Sequence, residues 1–488
     1  MAKRRAGGRG YAAQVSEPGR SGRPIVAIVG RPNVGKSALF NRLSGARLAI
    51  VDDTPGVTRD RLYADARAYG RNYVLVDTGG LDPESEDPLK QSIAAQVRVA
   101  LSEADVVICV LDGTMEPMAA DREAIKLLRQ TELPVLYVAN KIDNSAMSIQ
   151  AKDLYRLGIS ELREVSALHG HGIGDLEQAL AEALAKCAGP AESASLEQDS
   201  ELDPDVASEA RADTDASTAA DARLARIAIV GRPNAGKSSL VNRLLGEARQ
   251  IVDDRPGTTV DSVDALYENG GAPVVLIDTA GIRRKRAVEH GLEMQAVMQA
   301  IRAVDRSDTV VLMVDATSGA SQQDARIAGL AIERGRALCI VLNKIDLLKP
   351  EQRDAVLARA KDVFAFAPWA PIHRISARTG QGVTAMMKVV RAVTENRRKR
   401  VSTGEVNRFF EEVLAHHPPP TSGGRSVRLY YVTQVRSGPP VFMVSTNHPD
   451  RVHFSYQRYL TNQLRERFGF DGTPVIVHYR AHDRRKNE

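Results

Sequence analysis

At 488 residues, with 43% hydrophobic and 26% charged side chains, the chain has room for about three domains of ordinary size. No apolar run approaches the roughly 20 residues of a membrane helix, and the start, MAKRRAGGRG, is basic without the apolar core of a secretory signal, so the expectation is a cytoplasmic protein with no membrane insertion. Cys109, Cys187 and Cys339 are too few and too scattered for a disulfide framework or a zinc site; Cys109 and Cys339 sit in apolar strand-like runs as reduced core residues. The net charge of +5 is mild, but it is unevenly spread.

In chain order, a basic leader over 1–23 precedes the β-branched run PIVAIVG, which reads as a buried parallel strand. It feeds GRPNVGKS: Gly30, Arg31, Pro32, Asn33, Val34, Gly35, Lys36 and Ser37. This is the G-x-x-x-x-G-K-[ST] spacing, whose backbone N–H groups wrap phosphates while the Lys and the hydroxyl engage them and Mg²⁺. A helical pattern follows, SALFNRLSG, closing at Gly45. Downstream come VDDTPGVT with Thr58, the strand end VLVDTGG with Asp77, Thr78, Gly79 and Gly80 followed by Leu81, then YVANKID with Asn140, Lys141, Ile142 and Asp143, and VSALHG with Ser166 and Ala167.

Between Glu192 and Asp221 there are ten acidic residues against the single Arg211 and almost no large apolar side chain, so residues 187–222 read as a flexible acidic linker. After it the pattern repeats. GRPNAGKS supplies Gly231, Arg232, Pro233, Asn234, Ala235, Gly236, Lys237 and Ser238; VDDRPGTT supplies Thr259; VLIDTAG supplies Asp278, Thr279, Ala280 and Gly281, then Ile282; IVLNKID supplies Asn343, Lys344, Ile345 and Asp346; ISARTG supplies Ser376 and Ala377. Lys36 and Lys237 stand 201 positions apart, as do Asp77 and Asp278. An NKxD alone can be a helix cap and a DTxG alone a turn. Five pieces in the same order, twice, point to a duplicated nucleotide site, over 24–186 and 223–398.

The chemistry of each piece narrows the ligand. Ser37 and Thr58 supply hydroxyl oxygens for Mg²⁺, with Asp77 acting through water, and Ser238, Thr259 and Asp278 repeat the set. A carboxylate only accepts hydrogen bonds, so Asp143 and Asp346 suit guanine, whose N1–H and N2–H₂ are both donors, and not adenine. The backbone N–H groups at Ser166-Ala167 and Ser376-Ala377 can reach guanine O6.

The C-terminal part is basic, with ENRRKR at 395–400. It reads helix (TGEVNRFFEEVLAHH), two strands (SVRLYYVTQV, PPVFMVSTN), helix (SYQRYLTNQLRERFG, with Tyr456, Leu460, Leu464 and Phe468 on one face) and strand (TPVIVHYR), a small α+β module over 399–488. GFDG at Gly469 to Gly472 spells the GxxG loop that clamps nucleic-acid backbone. It lies between a helix and a strand and carries Asp471, so it reads as a turn. Tyr430 and Tyr431 are able to stack on bases, but strand alternation sends one of them to the core.

On these motifs the chain resembles the EngA (Der) family of bacterial GTPases from Pro24 to about Arg480. The resemblance implies an α/β architecture of two tandem P-loop GTPase (G) domains with central, mostly parallel sheets, followed by a KH-like domain. It also implies a monomer that binds GTP, GDP and Mg²⁺, acts in assembly of the large ribosomal subunit and contacts its rRNA, with no DNA partner. The chain departs from the family at Val260, where the second switch usually reads T-T-R-D and the first half has Arg59, in its long linker and in its added leader. Lys36, Thr58, Lys237 and Thr259 take the catalytic positions. Leu81 and Ile282 stand where Ras-like enzymes place a water-orienting glutamine, so turnover is expected to be slow. Asn33 and Asn234 offer amide oxygens to potassium, which GTPases of this kind use; alternatively, each Asn only stabilises its loop turn. Arg397 to Arg400, Arg425, Arg428 and Arg436 are expected to face RNA phosphates. An accessory GTPase of tRNA modification is disfavoured by the duplicated site, and a membrane-remodelling GTPase by the lack of an anchor.

Overall fold

The computed structural model describes residues 23–45, 63–78, 93–187, 224–247, 264–268, 271–277, 292–420 and 426–482. The first sheet contains β1 (Ile25–Gly30), β2 (Tyr63–Ala68), β3 (Arg71–Asp77), β4 (Val106–Asp112), β5 (Val135–Asn140) and β6 (Leu162–Glu164). Their spatial order is β2-β3-β1-β4-β5-β6, with every neighbour parallel except the β2/β3 pair. Helices α1 (Lys36–Ser44) and α5 (Ile173–Cys187) cover one face, and α2 (Ile93–Glu103), α3 (Ala119–Leu128) and α4 (Ser145–Ala151) the other. Covered on both faces, the central strands have no polar side to show, and β4 is buried along its whole length.

The second sheet repeats this plan with β7 (Ala225–Gly231), β8 (Ala265–Tyr267), β9 (Val274–Ile277), β10 (Thr309–Asp315), β11 (Ala337–Asn343) and β12 (Ile372–Arg374). Its order, β8-β9-β7-β10-β11-β12, matches the first strand for strand. Its helices are α6 (Lys237–Glu247), α7 (Leu292–Arg306), α8 (Gln322–Glu333), α9 (Pro350–Val363) and α10 (Val383–Arg398). The two units share one apolar cluster. Around it Arg302 donates to the Glu103 carbonyl at 2.6 Å and to Asp105 at 2.8 Å, Gln299 donates to Glu103 at 2.9 Å, and Arg334 pairs with Asp65.

The third unit is α11 (Thr403–His416), β13 (Leu429–Arg436), β14 (Val441–Thr446), α12 (Phe454–Phe468) and β15 (Ile476–Ala481), with β14 central, antiparallel to β13 and parallel to β15. Val406, Phe410, Val432, Phe442, Leu460 and Leu464 fill its core. Tyr456, Leu460 and Leu464 are buried, with Phe468 packed beside them, so the expected helix face is the one that faces inward. GFDG is a turn that docks on the second unit: the Gly472 N–H donates to the Trp369 carbonyl at 3.0 Å, and the Gly472 carbonyl accepts from Leu338 N–H at 2.8 Å. A Cβ on Gly472 would lie 2.4 Å from a Val393 methyl, so the fourth residue of that motif serves domain docking.

Two expectations are corrected here. Arg397 does not face RNA: it is buried, holds Asp308 at 3.0 Å, and donates to the carbonyls of Gly335 (3.1 Å) and Gly438 (2.7 Å). A basic run at a domain boundary has become the seam, because Asp308 and two orphan carbonyls satisfy a guanidinium that burial alone would penalise. Nor does alternation send one tyrosine inward. The register moves from Leu429 opposite Thr446 to Tyr431 opposite Ser445, a bulge that sets two residues against one and leaves both Tyr430 and Tyr431 exposed. Among the described residues no helix is long and apolar enough to cross a membrane.

Candidate functional site: two guanine-nucleotide loops

In each sheet the phosphate loop leaves the end of the central strand next to the positions where strand order reverses, which is where open α/β sheets form their crevices. Lys36, at the start of α1, donates to the carbonyls of Gly30 and Arg31, both at 2.8 Å, and Lys237 donates to Gly231 and Arg232 at 2.6 and 2.7 Å. Burial lowers the Lys36 pKa, and the neighbouring Asp77 opposes that shift. Ser37 Oγ lies 2.9 Å from Asp77 Oδ2, so two oxygens converge beside the loop. Thr78 turns inward, its hydroxyl donating to the Ile28 carbonyl at 2.6 Å.

One carboxamide organises each site. Asn140 Nδ2 donates to the Val34 carbonyl at 2.9 Å while its Oδ1 accepts from Ala167 N–H at 2.9 Å. Asn343 repeats this with the Ala235 carbonyl at 2.8 Å and Ala377 N–H at 2.9 Å. Phosphate loop, NKID loop and Ser-Ala loop are thereby fastened at one buried residue. The second motif glycine follows from this contact. A Cβ on Gly35 would lie 2.2 Å from Asn140 Nδ2, and on Gly236 2.1 Å from Asn343 Nδ2, and both glycines have φ above +90°.

The NKID lysines act as braces. Lys141 and Lys344, at φ 71° and 68°, place their ammonium groups 2.6 Å from Asp112 and Asp315 at the ends of β4 and β10. Burial would raise those carboxyl pKa values, yet bonds from the lysine and from Thr114 or Thr317 hold both below the ordinary range. Ile142 and Ile345 are buried, their N–H groups on the Val165 and Ile375 carbonyls. Asp143 remains exposed and accepts from Ser166 Oγ at 2.6 Å. Asp346 is held below the ordinary carboxylate range by a Ser376 hydrogen bond first and by Arg378, whose guanidinium stands 2.8 Å away. A cavity of about 640 Å³ opens here, lined by Gly236, Asn343, Lys344, Asp346, Ala377 and Arg378 among others.

The arginines of the two loops point away from the phosphate side: Arg31 binds Asp121 at 2.7 Å and Arg232 binds Asp324 at 3.0 Å, at the starts of α3 and α8. Pro32 and Pro233 follow them, and Asn33 and Asn234 adopt φ 66° and 63°, a left-handed conformation that Asn tolerates better than most residues. Ser238 begins α6 beside Lys237, the counterpart of Ser37 in α1. Thr58, Arg59, Gly79, Gly80, Leu81, Thr259, Val260, Asp278, Thr279, Ala280, Gly281, Ile282 and Arg425, with the leader and the linker centre, lie outside the described residues. Sequence reasoning missed Asp112, Asp121, Asp315 and Asp324. A signal was present, since each pair is 203 positions apart, the spacing of Asn140 and Asn343.

Two family models match this architecture: one described as 50S ribosome-binding GTPase, over residues 25–141 and again over 226–344, and one described as the KH-domain-like C-terminal part of EngA bacterial GTPase enzymes, over 400–480. GTPase Der of Moorella thermoacetica is 45% identical over 460 residues, 94% of this chain and 98% of its own. The chain belongs to the GTPase Der family. GTPase Der of Geobacter metallireducens, 43% identical over 95% of this chain and its own full length, agrees. As in that family, the chain consists of two GTPase domains and a KH-like domain, and it binds and hydrolyses GTP. A crystal structure of Era with MgGDPNP and nucleotides 1506–1542 of 16S ribosomal RNA is similar at 19% identity and TM-score 0.27, covering 53% of this chain and 93% of that one, a likeness too low to carry an argument.

Proposed function

We propose that the chain is a GTP-driven switch in assembly of the large ribosomal subunit, with both G domains binding nucleotide and the KH-like module turned toward rRNA. The observation that carries this reading is the pairing, in one chain, of two matches to a 50S ribosome-binding GTPase with a KH-like module. The working units are residues 24–186, 223–398 and 399–488, joined by the linker 187–222, in a cytoplasmic monomer.

Asp143 and Asp346 accept from guanine N1–H and N2–H₂, while Ala167 and Ala377 offer N–H groups to O6. The phosphate loops and Lys36 and Lys237 surround the phosphates. The convergent oxygens of Ser37 and Asp77 fit an oxygen-ligated divalent cation; Mg²⁺ would be held there with Thr58, and by Ser238, Thr259 and Asp278 in the second domain, supplying neutralisation of phosphate charge. Leu81 and Ile282 provide no side chain to orient water, so intrinsic turnover is slow. Asn33 and Asn234 are the potassium ligands in this reading, each offering an amide oxygen from within its phosphate loop.

Co-sedimentation with purified large subunits tests the reading. The full chain is expected to pellet with a non-hydrolysable GTP analogue and to pellet less with GDP; equal pelleting in the two states removes the switch, and no pelleting removes the partner. Hydrolysis rates in potassium and sodium chloride at matched ionic strength test the cation, and equal rates reject it.

A further inference from the structure

The C-terminal sheet carries its helices on one side only. Val432, Phe442 and Val444 point into the core beneath α11 and α12, while the alternate positions of the same strands point outward. On that outer side, at the end of the sheet remote from the second G domain, three aromatic rings meet. Tyr430 and Tyr431, 42% and 49% exposed, emerge together through the bulge. His482, just past β15, places its ring centroid 4.5 Å from Tyr430 and 6.2 Å from Tyr431, tilted 36° to the first and 79° to the second. The imidazole is fixed in place: its backbone N–H donates to the Thr446 carbonyl at 2.8 Å and Nδ1 lies 3.2 Å from Ser445 Oγ.

We propose that this open sheet face is a stacking site for single-stranded RNA, with Tyr430, Tyr431 and His482 as the base platform. A regular strand would bury Tyr431 in exchange for Val432, which the core wants; the bulge satisfies both by keeping Val432 inside and turning a second aromatic outward. Exposed aromatic rings on a sheet face take bases by stacking, which is tolerant of sequence because every base has a π-face. The charge on this face suits a phosphate backbone. Neither β13, β14 nor β15 contains an Asp or Glu, and exposed Arg480 stands on the outer side in register with Ser445, across β14 from Tyr431. Exposed Arg428 borders Tyr430. Because Gly438 and Gly472 make the seam to the second G domain from the other end of the strands, the platform stays open while the module is docked.

The inference rests on the ribosomal reading above but assigns it a specific surface. The test is fluorescence anisotropy of a short fluorescein-labelled oligoadenylate RNA titrated with the full chain at low salt. Tyr430→Ala and Tyr431→Ala should each weaken binding roughly 5- to 100-fold, the loss of one stacked base, and Tyr431→Phe should bind like the unaltered chain. Two-site GDP stoichiometry, expected to be unchanged, reports that the variants are folded. Failure of the unaltered chain to bind the oligonucleotide, equal binding by the alanine variants, or equal competition by a duplex RNA of the same length overturns the platform. Pelleting with large subunits separates the two ideas. If the full chain pellets but any of these failures occurs, the platform is wrong and the ribosomal reading stands; if it does not pellet, the ribosomal reading is wrong whatever the oligonucleotide does. If Tyr431→Ala abolishes pelleting while the oligonucleotide never binds, the face takes a protein instead of RNA.

Discussion

The first and second G domains differ at the rim of the base pocket and agree almost everywhere beneath it. Asn140 and Asn343 make the same two bonds, Lys141 and Lys344 reach equivalent aspartates at the same 2.6 Å, and Arg31 and Arg232 each hold a buried carboxylate. At the rim, Arg378 clasps Asp346 in the second domain, whereas the corresponding Leu168 of the first is 73% exposed. The contacts that agree are those in which a loop residue is bound to a buried or half-buried partner, so that removing either member leaves a polar group shielded from water unsatisfied. Where the side chain meets mainly solvent, the two copies are free to differ.

The largest break in this symmetry should come from the base-reading carboxylates. Asp143→Asn or Asp346→Asn replaces an acceptor with a donor facing guanine N1–H or N2–H₂, and each should weaken its own site by roughly 100-fold or more. Calorimetric titration should then give a GDP stoichiometry of one in place of two, and a stoichiometry of one in the unaltered chain would end the two-site account.

Next in size is removal of a staple. Asn140→Ala leaves the Val34 carbonyl and the Ala167 N–H unpaired in a buried site, at about 1–3 kcal/mol each, and Asn343→Ala does the same in the second domain. Because the bonds are alike, the two losses should agree within about 1 kcal/mol in denaturant melts of the affected domain. A much smaller loss in one domain would show that water or a neighbour replaces the staple there.

Arg378→Ala sharpens the rim difference. Asp346 is held below the ordinary carboxylate range by Ser376 and then Arg378. A depressed pKa keeps the group ionised as pH falls, so guanine binding in the second domain should persist to below about pH 4 and disappear as pH drops through the lowered value. In the variant the loss should move up toward about pH 4, with affinity at pH 7 falling only a few-fold. An unmoved pH midpoint would mean that Arg378 does not act on Asp346.

The smallest effect is a probe of local opening. Cys109 in β4 and Cys339 in β11 are fully buried, with thiol pKa values pushed up to about 12 by desolvation, so each reports the opening of its own domain. Mass-spectrometric alkylation at pH 8 should label half-buried Cys187 first, and bound GDP should slow Cys109 and Cys339 alike. Labelling of either as fast as Cys187 would contradict the packing of its strand.

The strand–loop–helix order of both G domains and the α-β-β-α-β plan of the third unit were legible in the sequence, because periodicity, glycine position and a fixed offset are local signals. Among the described residues, so was the convergence of the phosphate, NKID and Ser-Ala loops at the ends of the parallel strands. The braces at Asp112 and Asp315 were not, since an Asp at a strand end has no local pattern to say which lysine it meets; only the second offset of 203 positions pointed to them. Arg397 was misread for the same reason: its partner Asp308 lies 89 positions away in the chain, and its second acceptor, the Gly438 carbonyl, belongs to the next domain. The exposure of both tyrosines depends on a bulge, and a single extra residue in one strand leaves the hydrophobic pattern nearly intact.

The carboxamide staple has a mechanical consequence. With the phosphate loop and both base loops fastened to one side chain, the distance from the guanine seat to the phosphate seat is a preset span, so each site works as a caliper. Guanosine alone fills one jaw and inorganic pyrophosphate the other, each losing its own translational freedom. An intact nucleotide of the right length closes both jaws for a single such loss, so its affinity should exceed what the two fragments together would suggest, and Asn140→Ala or Asn343→Ala should shrink that excess more than it weakens either fragment.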